Sequence, residues 1–333
     1  MRSIKLVVVN SIVWLIAHLI IASSSAKMSN DFFERNDYLF KVKRWKAYLP
    51  DGSTDDTALI AQDFGVTVIS FHNQSKWKGK TAACYRGAEV ATGEVLMFLD
   101  ADTYFYEPSA LLRIAASFKG GLMSIQPYHE MKRCYEQGSL YFNLLTVFGM
   151  NATSAFKSVE GVFGPCVVCT RKDYLKTGGH KAASHTLIEG FGLGTLFKEH
   201  GFVLHNYIGK DTIHFRMYPE SAQSMTQGWM KHFAAGSAQT DKRILLLIIC
   251  WISGAFIPLL ILIYPEKWFI LLCVYLMYSL LLYRMSKIIG NFNLVTVLCY
   301  PIALGYFIYV FIKSIIAIYI KKEVNWKNRK IDL

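Results

Sequence analysis

Asp100-Ala101-Asp102 closes the apolar run Val95-Leu96-Met97-Phe98-Leu99, and no other junction in the chain carries as much chemistry. A run of this kind, bounded by Gly93 and by carboxylates, predicts a strand buried on both faces. Side chains at the carboxyl end of such a strand sit where α/β sheets bind ligands. Two hard oxygen donors suit Mg2+ or Mn2+ held jointly with substrate phosphates, which makes Asp100 and Asp102 candidate ligands of a divalent cation. Alone, an Asp-x-Asp after a strand is equally a solvated turn, so its companions decide.

Two companions lie upstream. Asp51-Gly52-Ser53-Thr54-Asp55 places an acid, a glycine and a helix-capping serine ahead of a helix-like stretch, an arrangement suited to holding a nucleotide over a helix N-terminus. Gly79-Lys80 precedes a second helix, from which Lys80 can reach a diphosphate. Each motif alone is ordinary loop chemistry. Their order across one α/β half is much harder to reach by accident.

The elements that must position these residues alternate in type. Residues 54–64, 81–92, 108–118, 131–148 and 187–200 read as helices, the fourth of them long and amphipathic. Residues 66–71, 94–100, 122–126 and 162–170 read as strands. Alternation of this kind predicts a three-layer α/β domain with a mainly parallel sheet over residues 51–220.

Composition adds a membrane. Of 333 residues, 53% are hydrophobic and only 18% charged. Residues 244–264 are almost uncharged and long enough to cross a bilayer. Residues 268–283 are shorter, and 294–320 exceed one crossing, with Pro301 and Gly305 allowing a re-entrant hairpin. Residues 6–22 form a fourth stretch interrupted by Asn10 and His18. Ser24-Ser25-Ala26 gives it the look of a cleaved signal, but the neighbouring spans favour a retained anchor. Residues 221–235 mix Met225, Trp229, Met230 and Phe233 with polar residues and predict an interfacial helix flat on the membrane, within an interfacial region 221–243 ahead of a membrane domain 244–333.

The net charge of +12 is concentrated beside the spans, after the first apolar segment (Lys27 to Lys46) and in the tail (Lys321 to Lys330). Lys242-Arg243 and Arg284/Lys287 add to this, and the distribution points to a multi-pass protein of the cell membrane with its catalytic domain cytoplasmic. No groove-reading motif accompanies the charge, so nucleic acid is not the expected partner. Seven cysteines form no disulfide framework, and Cys166-Val167-Val168-Cys169 lacks the second pair that a zinc site needs.

The order Asp-Gly-Ser, Gly-Lys, strand-Asp-x-Asp resembles the family 2 glycosyltransferases of GT-A fold. Gly120-Gly121-Leu122-Met123-Ser124-Ile125-Gln126-Pro127-Tyr128-His129, Gly178-Gly179-His180-Lys181, Ile188-Glu189-Gly190-Phe191 and Phe215-Arg216-Met217-Tyr218 look like the bacterial 4,4'-diaponeurosporenoate glycosyltransferases, from about residue 51 to the tail. The resemblance implies transfer of glucose from UDP-glucose to the carboxylate of a C30 carotenoid acid, in staphyloxanthin-type pigment synthesis. It implies that Asp51 contacts uracil and ribose, and that Lys80, Asp100 and Asp102 bind the nucleotide sugar. Asp100 and Asp102 would do so with the Mg2+ or Mn2+ ion, and Glu189 and Asp102 would be catalytic. His180, His185, Arg216 and Trp229 would meet the acceptor; Gln227-Gly228-Trp229 resembles a shortened Gln-x-x-Arg-Trp element.

Two departures accompany this likeness. Relatives commonly carry a second acid after the position of Glu189, serving as base; here Gly190 stands there. A hydroxyl acceptor needs such a base, but a carboxylic acid with a pKa of roughly 4–5 is already ionised at neutral pH. Gly190 is therefore compatible with a carboxylate nucleophile. Secondly, residues 1–50 lack the strand–helix–strand that opens a GT-A domain, and Phe40-Lys41-Val42-Lys43-Arg44-Trp45-Lys46-Ala47-Tyr48-Leu49-Pro50-Asp51-Gly52 resembles the start of the acyltransferase acting next in the same pathway. The expectation is a truncated GT-A nucleotide-diphospho-sugar transferase domain with transmembrane helices, a joint at 50/51, and an exposed central strand edge. Two alternatives follow: a non-catalytic membrane remnant, or the same chemistry on another lipid.

Overall fold

The computed structural model describes residues 46–48, 67–69, 77, 79–152, 159, 161–186, 188–320, 323–326 and 329–332. Asp51, the helix expected over 54–64 and the first apolar segment lie outside the described residues.

Two short strands, β1 (Lys46–Tyr48) and β2 (Thr67–Ile69), pair in parallel as a sheet of their own. Helix α1 (Lys80–Val90) follows Gly79, whose φ of 89° only glycine adopts without strain. Then come β3 (Val95–Leu99), β4 (Thr103–Phe105), α2 (Ala110–Ser117), β5 (Leu122–Gln126) and β6 (Tyr128–His129). A 3₁₀ turn over Cys134–Ser139 leads into α3 (Leu140–Gly149). After β7 (Cys166–Thr170) and the short α4 (Arg171–Lys176) and α5 (Gly179–Ala182), α6 (Glu189–Glu199), β8 (Leu204–Ile208) and β9 (Ile213–Phe215) complete the α/β region.

The main sheet runs β3-β7-β5-β8. β7 is antiparallel to both β3 and β5, and only β5 and β8 are parallel, so the sheet is mixed rather than mainly parallel. Alternating periodicity reports strands and helices but not direction. Here the chain reaches β7 after α3, which packs among apolar helices instead of crossing back over the sheet. Burial differs from expectation too. β5 is buried throughout, whereas in β3 only Leu96 is fully enclosed and Val95 is 48% exposed. β3 is an edge among the described residues, with β7 on one side, and an edge strand cannot be covered as a central one is. A second sheet, β4-β9-β6, lies beside the first.

The stretch expected as one amphipathic helix over 131–148 is the 3₁₀ turn plus α3, and α3 is buried on nearly every side. The reason is its position between the α/β layers and the apolar helices. Phe142 packs on Phe233 and Phe307, and Tyr141 packs on Trp251. One hydrophobic cluster thus runs from α3 through α7 (Ala222–Gln239) into α8 (Lys242–Gly254), α9 (Trp268–Ile289) and α11 (Tyr300–Ile315), the short α10 (Leu294–Leu298) lying between the last two.

Among the described residues, three segments are long and apolar enough to cross a membrane: Lys242–Leu262, Pro265–Ile289 and Tyr300–Ile320, with mean hydropathies of 2.7, 1.7 and 2.0. No hairpin interrupts the last one. Pro301 stands in the first turn of α11, where proline's missing N–H costs nothing, and the helix continues past Gly305. The second span is stitched to the α/β region at its end. Asn291 accepts from the Met131 amide at 2.7 Å and donates to the Met131 carbonyl at 3.0 Å, while the Asn291 amide donates to the His129 carbonyl. Of the helix expected at the interface, α7 turns Met225 and Trp229 inward, where they are buried against the 3₁₀ turn and α3.

Candidate active site

The end of β3 delivers Asp100 into a turn. Its amide donates to the Pro165 carbonyl at 2.9 Å, and its carbonyl accepts from the amide and hydroxyl of Thr103 at 3.0 and 2.6 Å. The turn fixes where the carboxylate emerges. Across from it, the first residue of α1 supplies Lys80, whose Nζ lies 2.6 Å from Asp100 Oδ1. The same ammonium pairs with Glu189, the first residue of α6, and donates to the Gly164 carbonyl at 3.3 Å. Residues 20, 84 and 109 positions along the chain from Lys80 are thereby joined through one nitrogen.

Electrostatics here is a contest between burial and charge. Burial alone would lower the Lys80 ammonium, but Glu189 and Asp100 outweigh it and hold it above its ordinary value. Burial raises the Asp100 carboxyl despite Lys80 alongside. Cys84, one turn along α1, has its thiol pushed up to about 12 by burial, which makes it inert as a nucleophile. Glu189 sits at a helix N-terminus, where negative charge is favoured.

The two aspartates have different surroundings. Asp100 is engaged with Lys80, whereas Asp102 is exposed, and its charge is felt by Tyr218. Tyr218 is held with φ at 54°, its carbonyl accepting from the Tyr135 hydroxyl at 2.9 Å.

Among the residues expected to meet an acceptor, three are committed to the scaffold. His180 is buried, its Nδ1 2.9 Å from the Tyr174 hydroxyl and its ring edge-on to Phe98. Arg216 is taken up by Glu136, with Nε and an η nitrogen 3.0 and 2.6 Å from Oε1. Trp229 is 3% exposed, stacked on Phe142 at 4.9 Å, with Nε1 donating to the Ser139 hydroxyl. Each thus has a structural partner of its own in this fold. His185 is different: it is exposed at the end of a 3₁₀ turn, four positions before Glu189.

Lys231 on α7 escaped the sequence reading. Burial lowers its ammonium, opposed by the nearby charge of Glu189 and reinforced by that of Lys80. Its helix packs on the residues flanking Glu189, since Gly236 faces Ile188 and Phe191. No spacing rule links position 231 to 189.

The donor set fits a divalent cation shared with a substrate. Asp100 and Asp102 bring hard oxygens to the end of β3, but among the described residues no three His, Cys, Asp or Glu side chains gather closely enough to enclose a metal by themselves. Mg2+ characteristically takes one or two carboxylates and completes its shell with phosphate and water.

An α/β domain that offers strand-end carboxylates, a helix-borne lysine and a shared core with apolar spans has the architecture of a membrane-associated glycosyltransferase. Residues 48–155 match glycosyl transferase family 2. The chain is 35% identical over 297 residues to a 4,4'-diaponeurosporenoate glycosyltransferase of Staphylococcus aureus strain MRSA252, covering 85% of this chain and 79% of that one. The protein of that name from strain USA300 is 34% identical over the same shares. A mycobacterial protein of solved structure aligns at 16% identity over 68% of this chain and 71% of that one; its TM-score of 0.38 is too low to carry an argument. The chain belongs to the family 2 glycosyltransferases.

Proposed function

We propose that this protein transfers glucose from UDP-glucose to the carboxylate of a C30 carotenoid acid, 4,4'-diaponeurosporenoate, with inversion at the anomeric carbon. One observation carries the reading beyond the likeness to its relatives: the Lys80–Asp100–Glu189 junction lies at the end of β3, in a domain whose core is continuous with the apolar helices. An apolar acceptor in the bilayer is thus brought to a polar donor in water. Attack of a carboxylate oxygen on C1 forms the ester bond as the C1–O bond to the diphosphate breaks, and the electron pair leaves with UDP. Asp100 and Asp102 would hold Mg2+ or Mn2+, which neutralises charge on the departing diphosphate. Lys80 adds a positive charge at the N-terminus of α1, where anions are favoured. The catalytic domain lies on the cytoplasmic side, a placement supported by Lys242-Arg243, Arg284 and Lys287 flanking the spans.

The test is transfer by the purified full chain in lipid nanodiscs, given labelled UDP-glucose, Mn2+ and the carotenoid acid. A base-labile glucosyl ester is expected. Transfer only to a different lipid would replace the acceptor and keep the chemistry. A second reading, a non-catalytic remnant, draws on the open edge of β3 among the described residues and the separate β1–β2 sheet. Failure to bind UDP-glucose in the presence of Mn2+ would favour it.

A further inference from the structure

The acidic pocket carries a cation of its own. An ammonium has three N–H donors, and Lys80 has three acceptors around it: Asp100, Glu189 and the Gly164 carbonyl. The enclosure is close-fitting. A Cβ at Gly164 would stand 3.0 Å from Glu189 Oε1 and 3.4 Å from Lys80 Nζ, so bare backbone forms the wall against the pair. The ammonium is nevertheless tethered at an unfavourable place, because Lys80 is the first residue of an eleven-residue helix and that end repels positive charge. A diphosphate at the same end would attract it.

We propose that Lys80 is a resident counter-ion that exchanges partners when the donor arrives. Without nucleotide it neutralises Asp100 and Glu189; with nucleotide its ammonium moves to the diphosphate and leaves the Asp100 oxygens to the divalent cation that Asp100 and Asp102 would hold. Lys80 is then a gate on cation loading as well as a phosphate contact. The inference rests on the reading of this junction as the donor site. Its consequence is thermodynamic. Cation and nucleotide must bind with positive coupling, since each removes an obstacle to the other.

The experiment measures Mn2+ binding by electron paramagnetic resonance of the free ion, using the full chain in nanodiscs, with and without UDP. In the wild type, UDP is expected to tighten Mn2+ by about tenfold or more, within the usual range of coupling between sites. In Lys80→Gln, Mn2+ alone is expected to bind about tenfold more tightly than to the wild type, and the enhancement by UDP to shrink. The wild-type comparison stands even where the variant folds poorly. Equal Mn2+ affinity with and without UDP in the wild type, with UDP itself bound, overturns the exchange alone. Absence of any UDP binding by the wild type overturns the donor-site reading beneath it.

Discussion

Gly190 lies directly against Val162. The Val162 amide donates to the Gly190 carbonyl at 3.1 Å, and a Cβ at position 190 would press into the Val162 carbonyl oxygen. The residue after Glu189 therefore has no room for a side chain, acidic or otherwise. Gly190→Asp is expected to destabilise the protein by about 1–3 kcal/mol through overpacking, and to add no catalytic base. Thermal unfolding and turnover of the variant check this; raised turnover with a hydroxyl acceptor would contradict it.

Glu189→Gln is expected to keep substantial turnover on a carboxylic acid acceptor. Such an acceptor, with a pKa of about 4–5, is ionised by more than about a hundredfold at neutral pH and needs no base. A glutamine oxygen can still accept from Lys80, so the junction survives. Loss of several orders of magnitude in turnover, with UDP binding and fold intact, would make Glu189 the base.

Lys231 brings a second cation towards Glu189 from α7, the helix packed against the last span. On the proposed chemistry it receives the acceptor carboxylate. Lys231→Gln should raise the acceptor KM by about tenfold, a loss of about 1.4 kcal/mol in binding, with little change in kcat. A rise confined to the UDP-glucose KM would assign it to the donor instead.

Much of this site was readable before the fold. Lys80 and Asp100 were recognisable because each terminates a periodic element, a helix start and a strand end, and such ends are where chemistry collects. Their meeting with Glu189 was not derivable from spacing, since it depends on how α6 is seated against residues 161–164. The scaffold partners of His180, Arg216 and Trp229 were hidden for a common reason. Polar and amphipathic side chains look alike in sequence whether they face a ligand or satisfy a buried partner, here Tyr174, Glu136 and Ser139. Strand direction was equally hidden, and β7 runs against its neighbours.

Arg216 should matter to stability more than to turnover. Glu136 is wholly buried; its Oε2 accepts from the amides of Lys132 and Arg133 at 2.5 and 2.9 Å, and its Oε1 is held by Arg216. Burial alone would raise its carboxyl, but the bonds from Arg133, Arg216 and Lys132 hold it below the usual range. Removing Arg216 leaves a buried charge short of its partner, at a cost of about 3–5 kcal/mol. Arg216→Met should thus lower the unfolding midpoint strongly, and adding Glu136→Gln should recover part of the loss. Equal stability of Arg216→Met and wild type in denaturant unfolding would refute the structural role.

Two buried histidines set the acid limit of the fold. Burial lowers His129 to about 4, Arg216 adding to this and Glu136 opposing it, while burial and then Lys80 lower His180 to about 3, both from an ordinary 6.5. Each ring has one close partner: His129 Nδ1 lies 2.8 Å from the Asn143 amide nitrogen, and His180 Nδ1 lies 2.9 Å from the Tyr174 hydroxyl. Well above pH 6.5 both rings are neutral whether folded or unfolded, and their contribution is complete. Between pH 6.5 and about 4 the unfolded chain takes up two protons that the native one refuses. Stability therefore falls with falling pH, by up to about 2.7 kcal/mol per unit for the pair. The unfolding midpoint of the nanodisc-embedded protein should be flat from pH 8 to 7 and drop steadily below 6.5. His180→Gln, which cannot titrate, should reduce that slope by about half. An unchanged slope in this variant would mean that His180 is protonated in the native state and that its bond to Tyr174 runs the other way.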